Sequence, residues 1–521
     1  MKSIANTFEK ISDSLNPIVV KEVRQAVQGK FLVVVLMLFL VVQLFAMGIS
    51  LALMRVFSAS GITFSSFSAG RTIFTVLLGI LSATCLLFVP AYTGIRLASE
   101  RSDANVDLLF ITTLRPRSII WGKFLAALIL TVLFYSACMP FMTFTYLLRG
   151  IDLPSIFILI AFNFIIIAAS IQCAILIGCF PTGRVFKVIL GVIWLNIVGT
   201  IFSSTITLSA LLLNGGIGSQ INSWEFWRVA LSVLGGGAAL IGILALLSTA
   251  LISPLSTNRA LPIRVFVTAV WLLTGIGTAI WSLEIRYLTP IAVWAAVYGL
   301  LYSIALFIAV SERERLGQRV RQSIPRQRLR RLFVFPFYSG AANGVVWSSL
   351  MIFLTLLALS ACLIVFPYLR TGEDIEGIAS LACLGMYAFS YALGASLIRR
   401  SFLANRVPVG YTWAIALVLL VVATTIIPLI LFFSTGKWDQ NWFIGSPAGL
   451  FVGLFEGDWV EILWPSVSIA AISAVVVGIL SLPWLIRQIT DFRSPYPEAT
   501  SKPQTDEPEK PSSELKSTSQ A

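Results

Sequence analysis

The 521-residue chain is 57% hydrophobic and only 12% charged, with a mean hydropathy of +0.90. This composition excludes a soluble globular protein, because the core of such a protein cannot bury so much apolar surface. The apolar residues form uninterrupted runs of about 20 residues, the length of a helix that crosses roughly 30 Å of hydrocarbon. Only helices satisfy the backbone hydrogen bonds of such a lipid-exposed run. We therefore predict an all-α polytopic membrane protein.

Residues 1–30 are predicted to form a cytoplasmic amphipathic helix along the inner membrane surface. Asn16 is a suitable N-cap, and Pro17 fits the first helical position. The apolar face of this helix contains Val19, Val23, Ala26 and Val27. On physical grounds alone, a helix of this kind before the first span is a membrane anchor.

Twelve apolar runs follow and form two transmembrane regions, 31–310 with eight spans and 345–486 with four. We place the spans at 31–53, 72–98, 124–148, 156–180, 188–213, 229–253, 265–283, 291–310, 345–368, 379–398, 411–433 and 465–486. With the N-terminus inside, the inner segments hold 30 of the 37 basic residues and the outer segments hold 7. Because cytoplasmic loops carry the excess of Lys and Arg, we expect both termini in the cytoplasm. The net charge of +13 then follows from topology and requires no nucleic-acid partner.

The segment 100–123, between the second and third spans, is longer than an ordinary connection of roughly two to eight residues. Glu100 and Arg101 give it a charged start, 106–111 form an apolar helical turn, and Pro116 precedes the next span. This amphipathic pattern is typical of a surface that faces a cytoplasmic partner.

Two further cytoplasmic segments differ in composition. The linker 311–336 is strongly basic, and we interpret it as a loop on anionic lipid headgroups, with a partner-docking surface as the alternative. The C-terminal segment 487–521 is rich in Pro, Ser, Thr, Lys and Glu and is predicted to be a disordered tail.

The outer segment 434–464 contains a glycine at every fourth position, namely at Gly445, Gly449, Gly453 and Gly457. If 446–457 are helical, these glycines form a smooth face that another helix can approach closely. The alternative is a glycine-rich turn region with aromatic residues at the membrane interface.

The apolar runs contain almost no ionisable side chain away from their ends. Ion-coupled carriers generally keep such a group within the membrane, so we expect no coupling-ion site. The polar residues Gln43, Asn163, Gln172 and Asn196 are predicted to form hydrogen bonds between helices, with a substrate path as the alternative. No Gly-x-x-x-x-Gly-Lys-Ser/Thr motif is present, so nucleotide binding within this chain is not expected.

Metal-dependent or His-based catalysis is also not indicated, because the sequence contains no histidine. The cysteines lack the spacing of a disulfide framework or a Cys-x-x-Cys site, and we expect small buried apolar side chains there. They are Cys85, Cys138, Cys173, Cys179, Cys362 and Cys383.

Two cytoplasmic segments, in this order, resemble the permease subunits of type-2 ABC transporters. That family shows an N-terminal Asn-Pro-x-x-x-Lys-Glu-x-Arg stretch, matched here by Asn16, Pro17, Lys21, Glu22 and Arg24. It also shows a cytoplasmic loop Glu-Arg-x-x-Gly-Thr-Leu-Glu-Leu-Leu-x-x-Thr-Pro-Leu-x-Pro-x-x-Ile-x-x-Gly-Lys. The counterparts of that loop are Glu100, Arg101, Asp107, Leu108, Leu109, Thr112, Leu114, Pro116, Ile120, Gly122 and Lys123. Ala104 and Asn105 replace the usual Gly-Thr, and Thr113 replaces the first Pro.

The resemblance covers about the first six spans, so the last six are either a diverged second copy or an unrelated extension. It implies a multi-pass permease of a bacterial cytoplasmic membrane, and it implies that the direction of transport is export. Its loop would dock on a separately encoded ABC ATP-binding subunit that binds ATP and Mg²⁺, with no cofactor in this chain. Membrane lipids and a second permease chain are the other expected partners. The implied docking residues are Glu100, Arg101, Asp107, Leu108, Leu109, Thr112, Pro116, Gly122 and Lys123.

Two other functions stay open at this point. An integral-membrane enzyme acting on a lipid-linked substrate would need clustered acidic residues, and a non-transporting scaffold would keep the permease fold without transport. The acidic residues best placed for an enzyme are Glu373, Asp374, Glu376, Asp439, Glu456, Asp458 and Glu461.

Overall fold

The computed structural model describes residues 17–59, 66–102, 115–148, 151–181, 183–215, 221–254, 256–369, 374–436, 439–449 and 459–493. Across these ranges the secondary structure is helical and contains no strand. Twelve of the helices there are long and apolar enough to cross a membrane. The chain is therefore a multi-pass α-helical membrane protein, which confirms the predicted fold class.

The first of two compact units consists of Met1–Pro254 and Pro262–Leu272. The helices of this unit are α1 (Pro17–Gln28), α2 (Lys30–Ala59), α3 (Ser66–Ser102), α4 (Pro116–Leu147), α5 (Leu153–Cys179), α6 (Arg184–Asn214) and α7 (Trp224–Ile252). The central helix is α3, which packs against α2, α4, α5 and α6. Ile73, Phe74 and Leu77 of α3 are fully buried.

Helices α3 and α5 approach each other closely at a pair of glycines. A Cβ atom on Gly94 would lie 3.0 Å from the Ala174 carbonyl oxygen, and one on Gly178 would lie 3.0 Å from the Gly94 carbonyl oxygen. Small residues permit this backbone contact, which supplies much of the packing between helices where lipid removes the hydrophobic driving force.

Polar side chains also join helices in this unit. Gln43 donates from Nε2 to the Leu77 carbonyl oxygen (3.2 Å), and Asn163 donates from Nδ2 to Ser82 Oγ (2.8 Å). Gln172 donates to Ser248 Oγ (3.4 Å). The interhelical prediction is confirmed for these three residues. It is wrong for Asn196, which is exposed and donates to the Val192 carbonyl oxygen of its own helix.

The second unit consists of Leu255–Leu261 and Leu273–Ala521, and α8 (Ala260–Ile285) is shared between the two units. The further helices of this unit are α9 (Thr289–Ala309), α10 (Gln318–Gln322), α11 (Arg328–Val334), α12 (Ala341–Val365), α13 (Asp374–Phe402), α14 (Thr412–Val421), α15 (Ile427–Thr435) and α16 (Trp459–Asp491). The central helix is α13, which packs against α9, α12, α14 and α16. A π-helical turn, Val422–Ile426, joins α14 to α15 within one candidate span.

The twelve predicted spans coincide with the twelve candidate spans of the described residues, but several helices are longer than their apolar runs. Helix α4 begins at Pro116, whereas the third span was placed at 124–148. Helix α3 continues to Ser102. Helices can extend past the hydrocarbon into the polar interface, where charged residues no longer oppose them, and hydropathy alone does not detect this extension.

The basic segment 311–336 contains α10, α11 and a 3₁₀ turn at Phe335–Phe337, so it is folded rather than an extended linker. The division of the chain at this segment into two transmembrane regions, 31–310 and 345–486, stays a prediction. In the outer segment, Gln440–Phe443 form a 3₁₀ turn, and the chain turns at Gly445. Gly453 and Gly457 of the predicted packing helix lie outside the described residues, as does the tail from 494 onwards.

Candidate functional site

Helix α1 places its buried residues against α4. Val19 and Ala26 are 2% and 3% exposed, and α1 packs mainly on α4. Val27, on the predicted apolar face, is instead 53% exposed. Gly29 separates α1 from α2, and a Cβ atom there would lie 3.1 Å from the Ala26 carbonyl oxygen. Helix α1 therefore packs against protein, and its placement along the membrane surface stays a prediction.

Four charged side chains from α1, α3 and α4 form a compact network at this position. Lys123 Nζ lies 2.7 Å from Glu22 Oε1 and 2.8 Å from Glu100 Oε2. Arg96 Nε lies 3.3 Å from Glu22 Oε2 and 3.6 Å from Glu100 Oε1. We call these residues, Glu22, Arg96, Glu100 and Lys123, the charge network.

Polar neighbours orient Arg96 within the charge network. Its Nη1 group donates to the Tyr92 hydroxyl (2.9 Å), and its Nη2 group donates to Gln25 Oε1. The guanidinium carbon also lies 5.9 Å from the centre of the Tyr92 ring. Arg96 thus contacts α1 through both Gln25 and Glu22, which fixes the position of α1 beside the end of α3.

The charge network is partly withdrawn from solvent. The side chains of Lys123 and Glu22 are 9% and 11% exposed, whereas those of Arg96 and Glu100 are 24% and 38% exposed. Two cations alternate with two carboxylates, so each buried charge has an opposite charge within hydrogen-bond distance. Removing one partner from such an arrangement leaves an uncompensated charge, which is costly in a partly buried site.

The charge network ties together the two helices that flank the segment 103–114. Arg96 and Glu100 lie near the end of α3, and Lys123 lies near the start of α4. Glu22 bridges both from α1. A displacement of 103–114 would therefore be transmitted to α1, α3 and α4 together rather than to a single helix.

The sequence motifs are brought together only in part. Glu22, Glu100 and Lys123 meet in the charge network, and Gly122 is buried beside Lys123. Lys21 and Arg24 are exposed, and Pro17 and Pro116 begin α1 and α4. The side chains of Asn16, Arg101, Asp107, Leu108, Leu109 and Thr112 lie outside the described residues.

Comparisons with known proteins add nothing to this geometry. No protein-family model, curated protein or solved structure matches the chain. The role of the charge network is therefore argued from its own residues.

Sequence analysis missed three members of the site, Arg96, Tyr92 and Gln25. The spacing of Arg96 from Glu100 provides a usable signal, because residues four apart on a helix face each other. Tyr92 lies one turn earlier on the same face of α3. Gln25 carries no comparable signal, since its partner is 71 positions away in sequence.

A large apolar groove lies on another face of α3. It has a volume of about 970 Å³ and is bounded by α3, α5 and α6. Ile95, Ala98 and Ser99 of α3 border it, next in sequence to Arg96 and Glu100. Lys187 and Trp194 border it from α6. Helix α3 thus carries the charge network on one face and the groove on another.

Among the described residues, the acidic side chains that an enzyme would need do not form a cluster. Asp439 accepts a hydrogen bond from the Asn441 backbone N–H (2.9 Å), and Asp374 and Glu376 begin α13. Glu373, Glu456 and Asp458 lie outside the described residues. In the described part of the chain, no group of three or more Cys, Asp or Glu side chains is arranged to hold a metal ion.

Proposed function

We propose that the chain is the permease subunit of an ABC-type exporter in a bacterial cytoplasmic membrane. In this proposal the segment 103–114 docks on a separate subunit that binds ATP and Mg²⁺ and hydrolyses ATP. The observation that carries the proposal is the charge network, because it links α1 to both helices that flank the docking segment.

The mechanism follows from these links. Closure of two ATP-binding subunits displaces 103–114, and the charge network transmits the displacement to α1, α3 and α4 as one group. Movement of α3 then changes the shape of the groove that it borders with α5 and α6. Sliding of packed helices in this way is a common form of conformational change. The groove has the size of a site for an organic molecule.

The distribution of charge supports an energy source outside the membrane. In the described spans, the charged residues lie near helix ends, as Lys123 and Arg96 do. A carrier driven by a proton or sodium gradient would be expected to hold an ionisable group deeper among its helices. Hydrolysis of ATP by a partner subunit supplies energy without such a group.

The docking assignment is tested by simultaneous replacement of Asp107, Leu108 and Leu109 with alanine. We expect this variant to lose nucleotide-dependent co-purification with an ATP-binding subunit, while its thermal unfolding stays unchanged. The control replaces Arg330, Leu329 and Leu332, also one charged residue and two leucines, on α11; Leu329 and Leu332 are 75% and 64% exposed. Association that survives the first replacement contradicts the docking site.

A further inference from the structure

The basic segment 311–338 folds against the ends of the second unit's transmembrane helices. Val320, Ile324, Phe335, Tyr338 and Phe492 form a buried apolar cluster there. The Phe335 and Tyr338 rings contact the Phe492 ring, with centroids 5.2 and 5.3 Å apart. This cluster joins the segment to the residue that follows α16.

Hydrogen bonds fix the same segment to the start of α12. The Tyr338 hydroxyl donates to the Ser323 carbonyl oxygen (2.7 Å), and Asn343 Nδ2 donates to the Phe335 carbonyl oxygen (2.7 Å). The Gly340 N–H donates to Glu312 Oε2 (2.7 Å). The backbone of the segment, which carries its arginines, is therefore held in place.

A cavity of about 350 Å³ lies beneath this segment. Four arginines border it, Arg315 and Arg321 from the segment, Arg400 from α13 and Arg487 from α16. Two carboxylates, Glu314 and Asp491, also border it. Glu314 is paired with Arg399 at 2.6 Å, so the charge that faces the cavity is strongly positive.

Arg400 is held by contacts on one side of its guanidinium group. Its Nε donates to the Ser396 carbonyl oxygen (3.0 Å), and its Nη2 donates to Ser396 Oγ (2.6 Å). The guanidinium carbon lies 4.2 Å from the centre of the Trp484 ring. These contacts orient the guanidinium group, and a positioned guanidinium group binds phosphate oxygens well.

The cavity lies at the ends of three membrane-spanning helices. Asn343 at the start of α12, Arg400 at the end of α13 and Arg487 near the end of α16 all border it. Trp484 lies beside these helix ends, and tryptophan is typical of the membrane interface. Basic pockets between transmembrane helices on the cytoplasmic side are known to accept anionic headgroups.

We propose that this cavity binds a phosphate group, carried by an anionic lipid headgroup or present as free phosphate. The arginines neutralise the phosphate charge, and the apolar cluster holds two of them in place. The site is independent of the transport proposal, because it uses only residues of the second unit. Its occupancy would stabilise the folded protein, since a ligand that binds the folded state alone opposes unfolding.

The test compares two double variants of the full chain in neutral detergent micelles. Arg315→Gln with Arg321→Gln removes two charges from the cavity, and Arg319→Gln with Arg330→Gln removes two charges from the same segment outside it. Unfolding temperature is measured during titration with phosphatidylglycerol, phosphatidylcholine or inorganic phosphate at constant ionic strength. Arg487→Gln is a single-site cavity variant in case the first double variant does not fold.

We expect phosphatidylglycerol to raise the unfolding temperature of the unchanged protein, and phosphatidylcholine to have little effect. The cavity variants should need roughly tenfold more phosphatidylglycerol for the same shift, whereas the outer double variant should behave as the unchanged protein. A shift with inorganic phosphate as well assigns the site to phosphate itself, and a shift with phosphatidylglycerol alone assigns it to a headgroup. Absence of both shifts, or equal loss in cavity and outer variants, overturns the proposal.

Discussion

At the scale of single residues, Glu22 holds the central position in the charge network. Its two carboxylate oxygens contact different cations, Lys123 at 2.7 Å and Arg96 at 3.3 Å. Glu100 contacts the same two cations but is more exposed, with 38% of its side chain accessible against 11% for Glu22. Glu22 is therefore the carboxylate whose loss should matter more.

Glu22→Gln should destabilise the protein by about 1–3 kcal/mol, because Lys123 and Arg96 then depend on Glu100 alone for charge compensation. The free energy of unfolding in detergent micelles measures this loss. The control is Glu225→Gln, since Glu225 is 85% exposed and lies 3.9 Å from Arg228. A long ion pair whose carboxylate is exposed in this way should contribute less than about 0.5 kcal/mol. Equal effects of the two changes would show that burial of the charge network is unimportant.

At the scale of helices, the contact between α3 and α5 determines how a displacement of α3 spreads through the first unit. The contact depends on Gly94 and Gly178, where a Cβ atom would lie only 3.0 Å from a carbonyl oxygen of the facing helix, which is tighter than an ordinary van der Waals contact. Both glycines also border the apolar groove. A larger side chain at either position would separate the helices and alter the groove.

Gly178→Leu should therefore lower the free energy of unfolding by about 1–3 kcal/mol, because the new side chain would clash with the Gly94 carbonyl oxygen and with Leu97. Thermal unfolding of the purified protein measures the change. Gly199→Leu on α6 is the matched control, since a Cβ atom at Gly199 would have no neighbour within 4 Å. A loss of stability no greater than that of the control would contradict close packing at the glycine pair.

Some helix features could be predicted from the sequence, and others could not. Hydropathy located all twelve candidate spans, because long apolar runs are sufficient to define them. It did not locate the start of α4 at Pro116 or the end of α3 at Ser102. The charge network could not be predicted from hydropathy or from spacing within one helix, because it joins Glu22 of α1 to residues 74 to 101 positions later in the chain.

At the scale of the whole chain, the described residues of each compact unit include a charged site near helix ends. The first unit holds the charge network, which is electrically balanced, whereas the second unit holds the arginine-rich cavity. A balanced network suits transmission of movement between helices, while an excess of positive charge suits binding of an anion. Sequence analysis interpreted 311–336 as a basic loop on anionic lipid headgroups, with a partner-docking surface as the alternative, but it could not predict the cavity, because the packing around Phe492 that creates it comes from a distant part of the chain.

The central claim is that 103–114 contacts an ATP-binding partner. A photo-reactive benzoylphenylalanine in place of Leu108, irradiated in intact cells, tests this claim most directly. We expect a crosslinked adduct with a protein that contains the Gly-x-x-x-x-Gly-Lys-Ser/Thr motif, and loss of that adduct when Asp107 and Leu109 are replaced with alanine. Adducts that contain only proteins without the motif would contradict contact between 103–114 and an ATP-binding partner.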